Sequence, residues 1–150
     1  MADTGTTLTL LSPREAAARL RALSSGGRGF LGTDPVVQND ALLAKVLQDC
    51  SALVMDWEGT VIGARPSPHN PRQEEVACSS DDPEALTALL DHLRQYRRCA
   101  SVWAVCSPDA PMLTALEALE FRHTGLLRAH YYRAGEYLDA AVHYRDLEQL

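Results

Sequence analysis

The sequence predicts an α/β domain with a mixed, partly parallel sheet and helices on both faces of that sheet. Strand-like apolar runs alternate with helix-like segments in the second half of the chain, which favours parallel strand pairing. Gly59 and Gly135 each lie between two apolar runs and indicate hairpin turns. A chain of 150 residues is long enough for one domain with a core, so we expect residues 1–150 to form a single domain.

Two helices are predicted near the start of the chain. The segment TTLTLLS (6–12) alternates loosely, as a strand does. Ser12 is a suitable N-cap for a helix over residues 12–25, and a proline follows it at the first helical position. After a glycine-rich loop at 26–35, residues 36–50 have the apolar spacing of a second helix.

The middle of the chain is predicted to contain a hairpin, a strand and the longest helix. Residues 51–66 form two apolar runs around DWEGT, and the proline-rich segment 67–73 is a loop. EEVACS (74–79) is a short strand. Residues 82–98 begin with an aspartate N-cap and a proline, and their leucines recur on one face of a helix.

Three strands and one further helix complete the predicted domain. ASVWAVCS (100–107) is apolar throughout, which is typical of a strand buried on both faces. Residues 109–121 have the spacing of a shorter helix, and residues 125–144 form two strands that turn at RAGE. The predicted order is β α α β β β α β α β β.

Composition and charge exclude several classes of function. The formal net charge of −6 disfavours nucleic acid as a partner, because phosphate binding needs clustered Lys and Arg. The apolar runs are too short to cross a bilayer and no secretory signal is visible, so we expect no membrane partner and a cytoplasmic protein. The four cysteines lack the spacing of a zinc site, so we expect no metal.

The segment ALEALEFRHTGLLRAHYYRAGEYLDAAVHYRDL resembles the GNAT superfamily of N-acetyltransferases, in particular the branch near the ribosomal-protein acetyltransferases. Glu117 falls where that branch often has a glutamate. The other matching positions are Phe121, Gly125, Leu127, Arg128, Gly135, Tyr137, Asp139 and Tyr144. The resemblance covers the second half of the chain by residues and the first half by element order. It implies the GNAT fold.

The resemblance also implies an activity. Members transfer an acyl group from acetyl-CoA to a primary amine, by direct attack of the amine on the thioester. The acceptor implied here is a small-molecule amine or a protein N-terminus. A homodimer is implied as well, because the C-terminal strands of the family often pair across one.

Candidate site residues follow from the same alignment. Family bases are often glutamates near the start of the fourth strand, which makes Glu74 and Glu75 the candidate bases, although two glutamates there also suit an exposed strand start. Tyr131 and Tyr132 could protonate a leaving thiolate, and we assign that role to Tyr132. The candidate cofactor-binding residues are Val76, Cys78, Ser79, Ser80 and Asp109. The candidate substrate-groove residues are Phe30, Arg128, His130 and Tyr137.

Strand alternation sorts the last two strands into two faces. Leu127, Ala129 and Tyr131 share one face of the first strand. The opposite face of the pair carries polar residues, and we expect it to be either a solvated face of cross-strand pairs or the wall of an acceptor groove. The polar residues are Arg128, His130, Tyr132, Tyr137, Asp139 and His143.

The turn CSSDDP (78–83) departs from the family pattern. In the family, a loop of the form Arg/Gln-x-x-Gly-x-Gly/Ala holds the pyrophosphate of CoA with its amides and the following helix N-terminus. Here the glycines and the Arg or Gln are absent, and Asp81 and Asp82 would repel a pyrophosphate. Asp109 stands where the family commonly has Asn after the fifth strand. The sequence therefore predicts a degenerate CoA site.

Two functions remain from the sequence. The first is an N-acyltransferase that uses acetyl-CoA and a primary amine. The second is a GNAT-like protein without normal acetyl-CoA activity, which serves as a binding or partner module or reuses the cleft in a specialised pathway.

Overall fold

The computed structural model describes residues 8–23, 29–35 and 38–148, and a mixed sheet of seven strands organises them. The spatial order of the strands is β1-β2-β3-β4-β5-β7-β6. The strands are β1 (Leu8–Leu11), β2 (Leu53–Trp57), β3 (Thr60–Pro66), β4 (Gln73–Cys78), β5 (Ser101–Cys106), β6 (Arg122–Arg133) and β7 (Glu136–Asp146). The helices are α1 (Pro13–Ala22), α2 (Asp40–Asp49), α3 (Pro83–Arg97) and α4 (Leu113–Ala118). The predicted fold class and order of elements are confirmed, with one addition, a 3₁₀ turn at Phe30–Gly32.

The sheet has helices on both faces. Arg19 of α1 contacts Asp56 of β2 at 2.6 Å, on the face to which the register also assigns Glu75. Arg97 of α3 contacts Glu74, the neighbouring residue on the opposite face of β4. Each face is therefore covered, and two consecutive glutamates point to different layers. No helix among the described residues is long and apolar enough to cross a membrane.

Side-chain caps set the starts of the first three helices. Ser12 and Glu15 form a reciprocal capping box on α1, as the Ser12 N-cap predicted. Asn39 accepts from the amide of Leu42 and starts α2 later than the predicted residue 36. Asp82 caps α3 as predicted. Residues 6–7, 24–28 and 36–37 of the predicted elements lie outside the described part of the chain.

The predicted helix at 109–121 is wrong in its length. It begins only at Leu113, because Pro111 disfavours a helical backbone in the residue before it. It ends at Ala118, and Glu120 follows in the left-handed region with φ 63°. The amide of Phe121 then bonds the carbonyl of Leu116 at 3.0 Å, which closes the helix end. Glu120 thus has a backbone conformation that favours glycine.

The two central parallel strands pair over only part of their length. Their register joins Gln73 to Ser101, Glu74 to Val102 and Glu75 to Trp103. β4 continues to Cys78 and β5 to Cys106 without further pairing between them. The two strands therefore separate beyond Glu75 and Trp103, and a gap opens inside the sheet.

A bulge in β6 breaks the alternation that the sequence predicted. Leu127 pairs with Ala140 and Tyr131 with Leu138, so four steps along β6 oppose two along β7. Ala129 adopts φ 51°, and its amide donates to Asp139 Oδ1 at 2.8 Å. Asp139, one of the polar positions on the predicted wall, therefore supports the bulge.

The 3₁₀ turn is held against the sheet by a close approach at Gly63. A Cβ atom added at Gly63 would lie 3.0 Å from the Leu53 carbonyl and 3.0 Å from the Phe30 ring. Gly63→Ala is expected to lower the free energy of unfolding by about 1–3 kcal/mol, because a backbone carbonyl cannot give way. Urea denaturation measures this change. Gly125→Ala is the matched control, since its Cβ would meet nothing within 4 Å, and an equal loss in both variants would contradict the packing assigned to Gly63.

Candidate active site

A cavity of about 500 Å³ opens on the sheet face that carries Glu75. β3, β4 and β5 form its floor, the 3₁₀ turn and the residues after it form one wall, and the bulged part of β6 forms the other. Its lining includes Asp34, Arg65, Glu75, Trp103, His130 and Tyr131. The cavity thus combines acidic, basic and aromatic groups.

Glu75 is held at the floor of this cavity by Arg65. The Arg65 guanidinium donates to one oxygen, Oε1, from Nε at 2.8 Å and from Nη2 at 2.7 Å. Glu75 is only 6% exposed. A Cβ at Gly32 would lie 3.1 Å from Arg65 Nη2, so the glycine leaves room for the guanidinium under the 3₁₀ turn. The carboxylate is therefore fixed in orientation beside the cavity.

Glu74 lies on the other face of β4 and has a different environment. It is 2% exposed and receives Arg97 Nε at Oε2, at 3.0 Å, while its buried Oε1 has no partner among the described residues. Burial raises the pKa of the Glu74 carboxyl, and Arg97 acts in the opposite direction. Glu74 does not line the cavity. The structure thus separates the two candidate bases, and the expectation that both begin an exposed strand is wrong.

Of the two adjacent tyrosines, Tyr131 lies deeper. It lines both the cavity and the gap between β4 and β5. Burial raises the pKa of the Tyr131 hydroxyl, with a further increase from Cys106, while Arg133 lies 4.9 Å from the ring centroid and lowers the pKa. Tyr132 is 64% exposed at the cavity mouth and stacks on Tyr137 with centroids 4.9 Å apart. Tyr131 is therefore placed closer to the gap than the predicted Tyr132.

The gap between the separated strands is narrow. Its cavity is about 20 Å³, and it is bordered by the ends of both strands together with Phe30, Met112 and Tyr131. It shares Tyr131 with the larger cavity, so the two spaces adjoin. Phe30, predicted in the substrate groove, is buried against Gly63 and borders this gap instead.

The turn after β4 is tied to the start of β3. Asp82 Oδ1 accepts from the Ala85 amide at 3.1 Å, and Oδ2 accepts from Thr60 Oγ1 at 3.3 Å. Ser79 Oγ accepts from the Val61 amide at 3.0 Å. The Cys78 thiol donates to the Ser80 carbonyl, with Sγ 3.2 Å from the oxygen. The Ala85 amide and the Cys78 thiol thus donate to partners within the chain.

The remaining predicted cofactor residues have structural contacts as well. Val76 is buried on the same face of β4 as Glu74. Ser80 Oγ lies 3.2 Å from Thr60 Oγ1. Asp109 accepts from Ser107 Oγ at 2.6 Å and lies 3.5 Å from Arg133 Nη1.

Only part of the predicted polar wall lines the cavity. His130 lines the cavity, whereas Arg128 and Tyr137 are exposed and are not among its described lining residues. The assignment of His143 to this wall is wrong. Its side chain is buried on the face opposite the cavity, where His143 pairs with Ala104 of β5. Neither ring nitrogen has a hydrogen-bond partner among the described residues. Burial lowers its pKa, and His123 lowers it further. Register explains the position of His143: Tyr144 pairs with Trp103 on the side of Glu75, so its neighbour His143 lies on the other side of the sheet.

Sequence reasoning missed Arg65 and Trp103 at the floor of the cavity. Both lie in strands that were predicted, and their positions follow from register: Arg65 pairs with Glu75 across β3 and β4, and Glu75 with Trp103 across β4 and β5. A single arginine inside an apolar hairpin was the available signal for a buried ion pair.

The cysteines at the gap are poor nucleophiles. Burial raises the pKa of Cys78 to about 11 and that of Cys106 to about 12, with smaller contributions from nearby carboxylates. Burial also raises the pKa of Cys99 to about 11. Cys50 is half-buried at the end of α2.

Thiol labelling tests this assignment. Iodoacetamide at pH 8 is expected to modify Cys50 in the folded protein and to leave the other three cysteines intact, because roughly one thiol in a thousand is ionised when its pKa is about 11. Mass spectrometry counts the labels, Cys50→Ser removes the fast label, and unfolding in urea exposes all four sites. Fast labelling of Cys78 or Cys106 in the folded protein would contradict the raised pKa values.

The chain has the same fold as several acetyltransferases of known structure. The spermidine N-acetyltransferase of Vibrio cholerae, solved in complex with CoA and spermine, matches with a TM-score of 0.70 at 13% identity, over 95% of this chain and 95% of that chain. A probable acetyltransferase matches with a TM-score of 0.66 at 14% identity, over 99% and 96%. A GNAT-family acetyltransferase from Bacillus anthracis matches with a TM-score of 0.56 at 14% identity, over 75% and 77%.

The sequence itself matches no protein-family model and no curated protein. At these identities the likeness establishes the fold alone, and that fold is the one shared with GNAT acetyltransferases.

Proposed function

We propose that the protein is an N-acyltransferase that moves an acetyl group from a thioester to a primary amine. The observation that carries the proposal is the position of Glu75. Its carboxylate is fixed by Arg65 at the floor of a cavity, beside the point where β4 and β5 separate. A carboxylate so placed can accept a proton from an amine that enters the cavity.

The reaction divides among the residues of the site. An ammonium group binds beside Glu75 and gives up one proton, and the resulting amine attacks the thioester carbonyl carbon. The new N–C bond forms as the C–S bond breaks and the thiolate leaves, and the second proton lost by the nitrogen replaces the one that Tyr131 gives to the thiolate. Tyr131, at the junction of cavity and gap, is the hydroxyl placed to protonate that thiolate. This assigns to Tyr131 the role that the sequence assigned to Tyr132.

The acceptor is proposed to be a small amine or a protein N-terminus. Glu75 and Asp34 line the cavity together with Arg65 and Arg133, and an entering ammonium group can pair with either carboxylate. The matching enzyme from Vibrio cholerae is a spermidine N-acetyltransferase, which supports an amine acceptor for this fold. The kinship with the ribosomal-protein branch stays a prediction. So does the homodimer, for which the edge strand β6 with its exposed Leu126 and Leu127 is the available surface.

A second candidate is a protein that keeps this fold without normal acetyl-CoA use. The turn after β4 favours it, because Asp82 caps α3 with its own carboxylate and Asp81 is exposed beside it. The two candidate functions differ in whether the protein consumes a thioester.

A transfer assay with paired variants tests the proposal. The assay follows thiol release from an acetyl thioester in the presence of a panel of amines. Glu75→Gln is expected to lower kcat/KM by about 10²- to 10⁴-fold, because the amine then lacks its proton acceptor. Glu74→Gln is the matched control, a neighbouring glutamate with its own arginine on the opposite face, and it is expected to change stability more than rate.

A second pair of variants separates the tyrosines. Tyr131→Phe is expected to slow transfer, while Tyr132→Phe keeps a rate near that of the unaltered protein. Absence of transfer with every thioester and amine would favour the second candidate. Equal losses in Glu75→Gln and Glu74→Gln would remove Glu75 from the mechanism.

A further inference from the structure

We infer that the acyl donor is a pantetheine thioester without the 3′-phospho-ADP part of coenzyme A. This inference rests on the proposed transfer reaction and names its donor. Two parts of the site favour different ligands. The separated ends of β4 and β5 suit an extended arm, whereas the turn after β4 does not suit a pyrophosphate.

The turn leaves few donors for a phosphate. The Asp82 carboxylate holds the Ala85 amide in the first turn of α3. The Cys78 thiol donates to the Ser80 carbonyl, and the Ser79 amide donates to the Val61 carbonyl at 2.9 Å. An anion at this helix end would have to displace contacts made by the chain itself.

The chain segments that flank the turn carry carboxylates and no Lys or Arg, and the nearby cation is Arg133 of β6, which lies 3.5 Å from Asp109. No Lys or Arg occurs between Arg72 and Arg94, a stretch that contains six carboxylates, including Asp81, Asp82 and Glu84 at the helix start. The segment after β5 adds Asp109 and no Lys or Arg before Arg122. A nucleotide with several phosphate charges would lie against carboxylates with no counter-charge from either segment.

The gap between β4 and β5 keeps the features that suit a thin arm with amide groups. Beyond Glu75 and Trp103 the two strands have no ladder partner in each other, so backbone edges face the gap. The strand ends that border it carry the small side chains of Ala77, Cys78 and Cys106. Met112 also borders it, and an unbranched methionine can adapt to a ligand.

The proposed acetyl transfer then takes place with acetyl-pantetheine as the donor. The amine nitrogen bonds to the acetyl carbon, the C–S bond of acetyl-pantetheine breaks, and the thiol of pantetheine leaves with one proton. No other reactant is required, and the nucleotide takes no part in the bond changes.

A comparison of donors tests the inference. S-acetyl-pantetheine and acetyl-CoA are supplied in turn to the unaltered protein with the same amine, and kcat/KM is measured for each. The nucleotide-free donor is expected to react at least as well as acetyl-CoA. An ordinary phosphate cradle gives the reverse order, because its contacts with the nucleotide add binding energy.

Charge-neutral variants locate the cause. Asp81→Asn with Asp82→Asn removes two charges and keeps a side chain that can cap α3. It is expected to improve use of acetyl-CoA by about tenfold and to leave acetyl-pantetheine unchanged, since only the former carries phosphates near the turn. Asp91→Asn is the control, an Asp-to-Asn change that removes one charge from an exposed residue of α3, and it is expected to alter the use of neither donor.

The outcomes separate the inference from the proposed function. A preference for acetyl-CoA of about tenfold or more in the unaltered protein overturns the inference and leaves the transferase standing. An unchanged ratio between the two donors in the double variant overturns the electrostatic argument. No reaction with either donor overturns the transferase itself.

Discussion

The site depends on one constraint, the end of pairing between β4 and β5 at Glu75 and Trp103. Up to that point the two parallel strands share a ladder, and beyond it their backbones separate inside the sheet. Because a sheet interior normally satisfies its backbone groups, such a gap is maintained only when neighbouring elements support both sides. Here β3 pairs with β4 through Cys78, and β7 pairs with β5 through Cys106.

The same strand gives two glutamates opposite roles. Glu74 and Glu75 are consecutive, each has one arginine partner, and each is nearly buried. Strand alternation directs Glu74 toward α3, where its ion pair joins the helix to the sheet, and Glu75 toward the cavity. Both side chains are carboxylates that pair with an arginine. The face of the strand on which each lies therefore decides which of the two can act on a substrate.

Local signals predicted the fold and missed much of the site. The caps at Ser12 and Asp82 and the glycine turns follow from short-range chemistry, so they could be read from the sequence. The Arg65–Glu75 pair joins neighbouring strands, and only the register reveals it. The bulge at Ala129 is an irregularity that strand alternation does not predict, and only the pairing of His143 with Ala104 shows that His143 lies on the buried face. The sequence alone did not reveal the register between the strands or the irregular backbone of β6.

The most direct test of the account is a backbone amide NMR titration with S-acetyl-pantetheine. Binding in the gap predicts shifts concentrated at Val76–Cys78 and Ala104–Cys106, the segments beyond the last β4–β5 pair. The amides of the turn at residues 79–82 are predicted to respond less. Shifts centred on that turn with both strand segments unchanged, or no shifts at millimolar thioester, would contradict the account of the gap as the donor site.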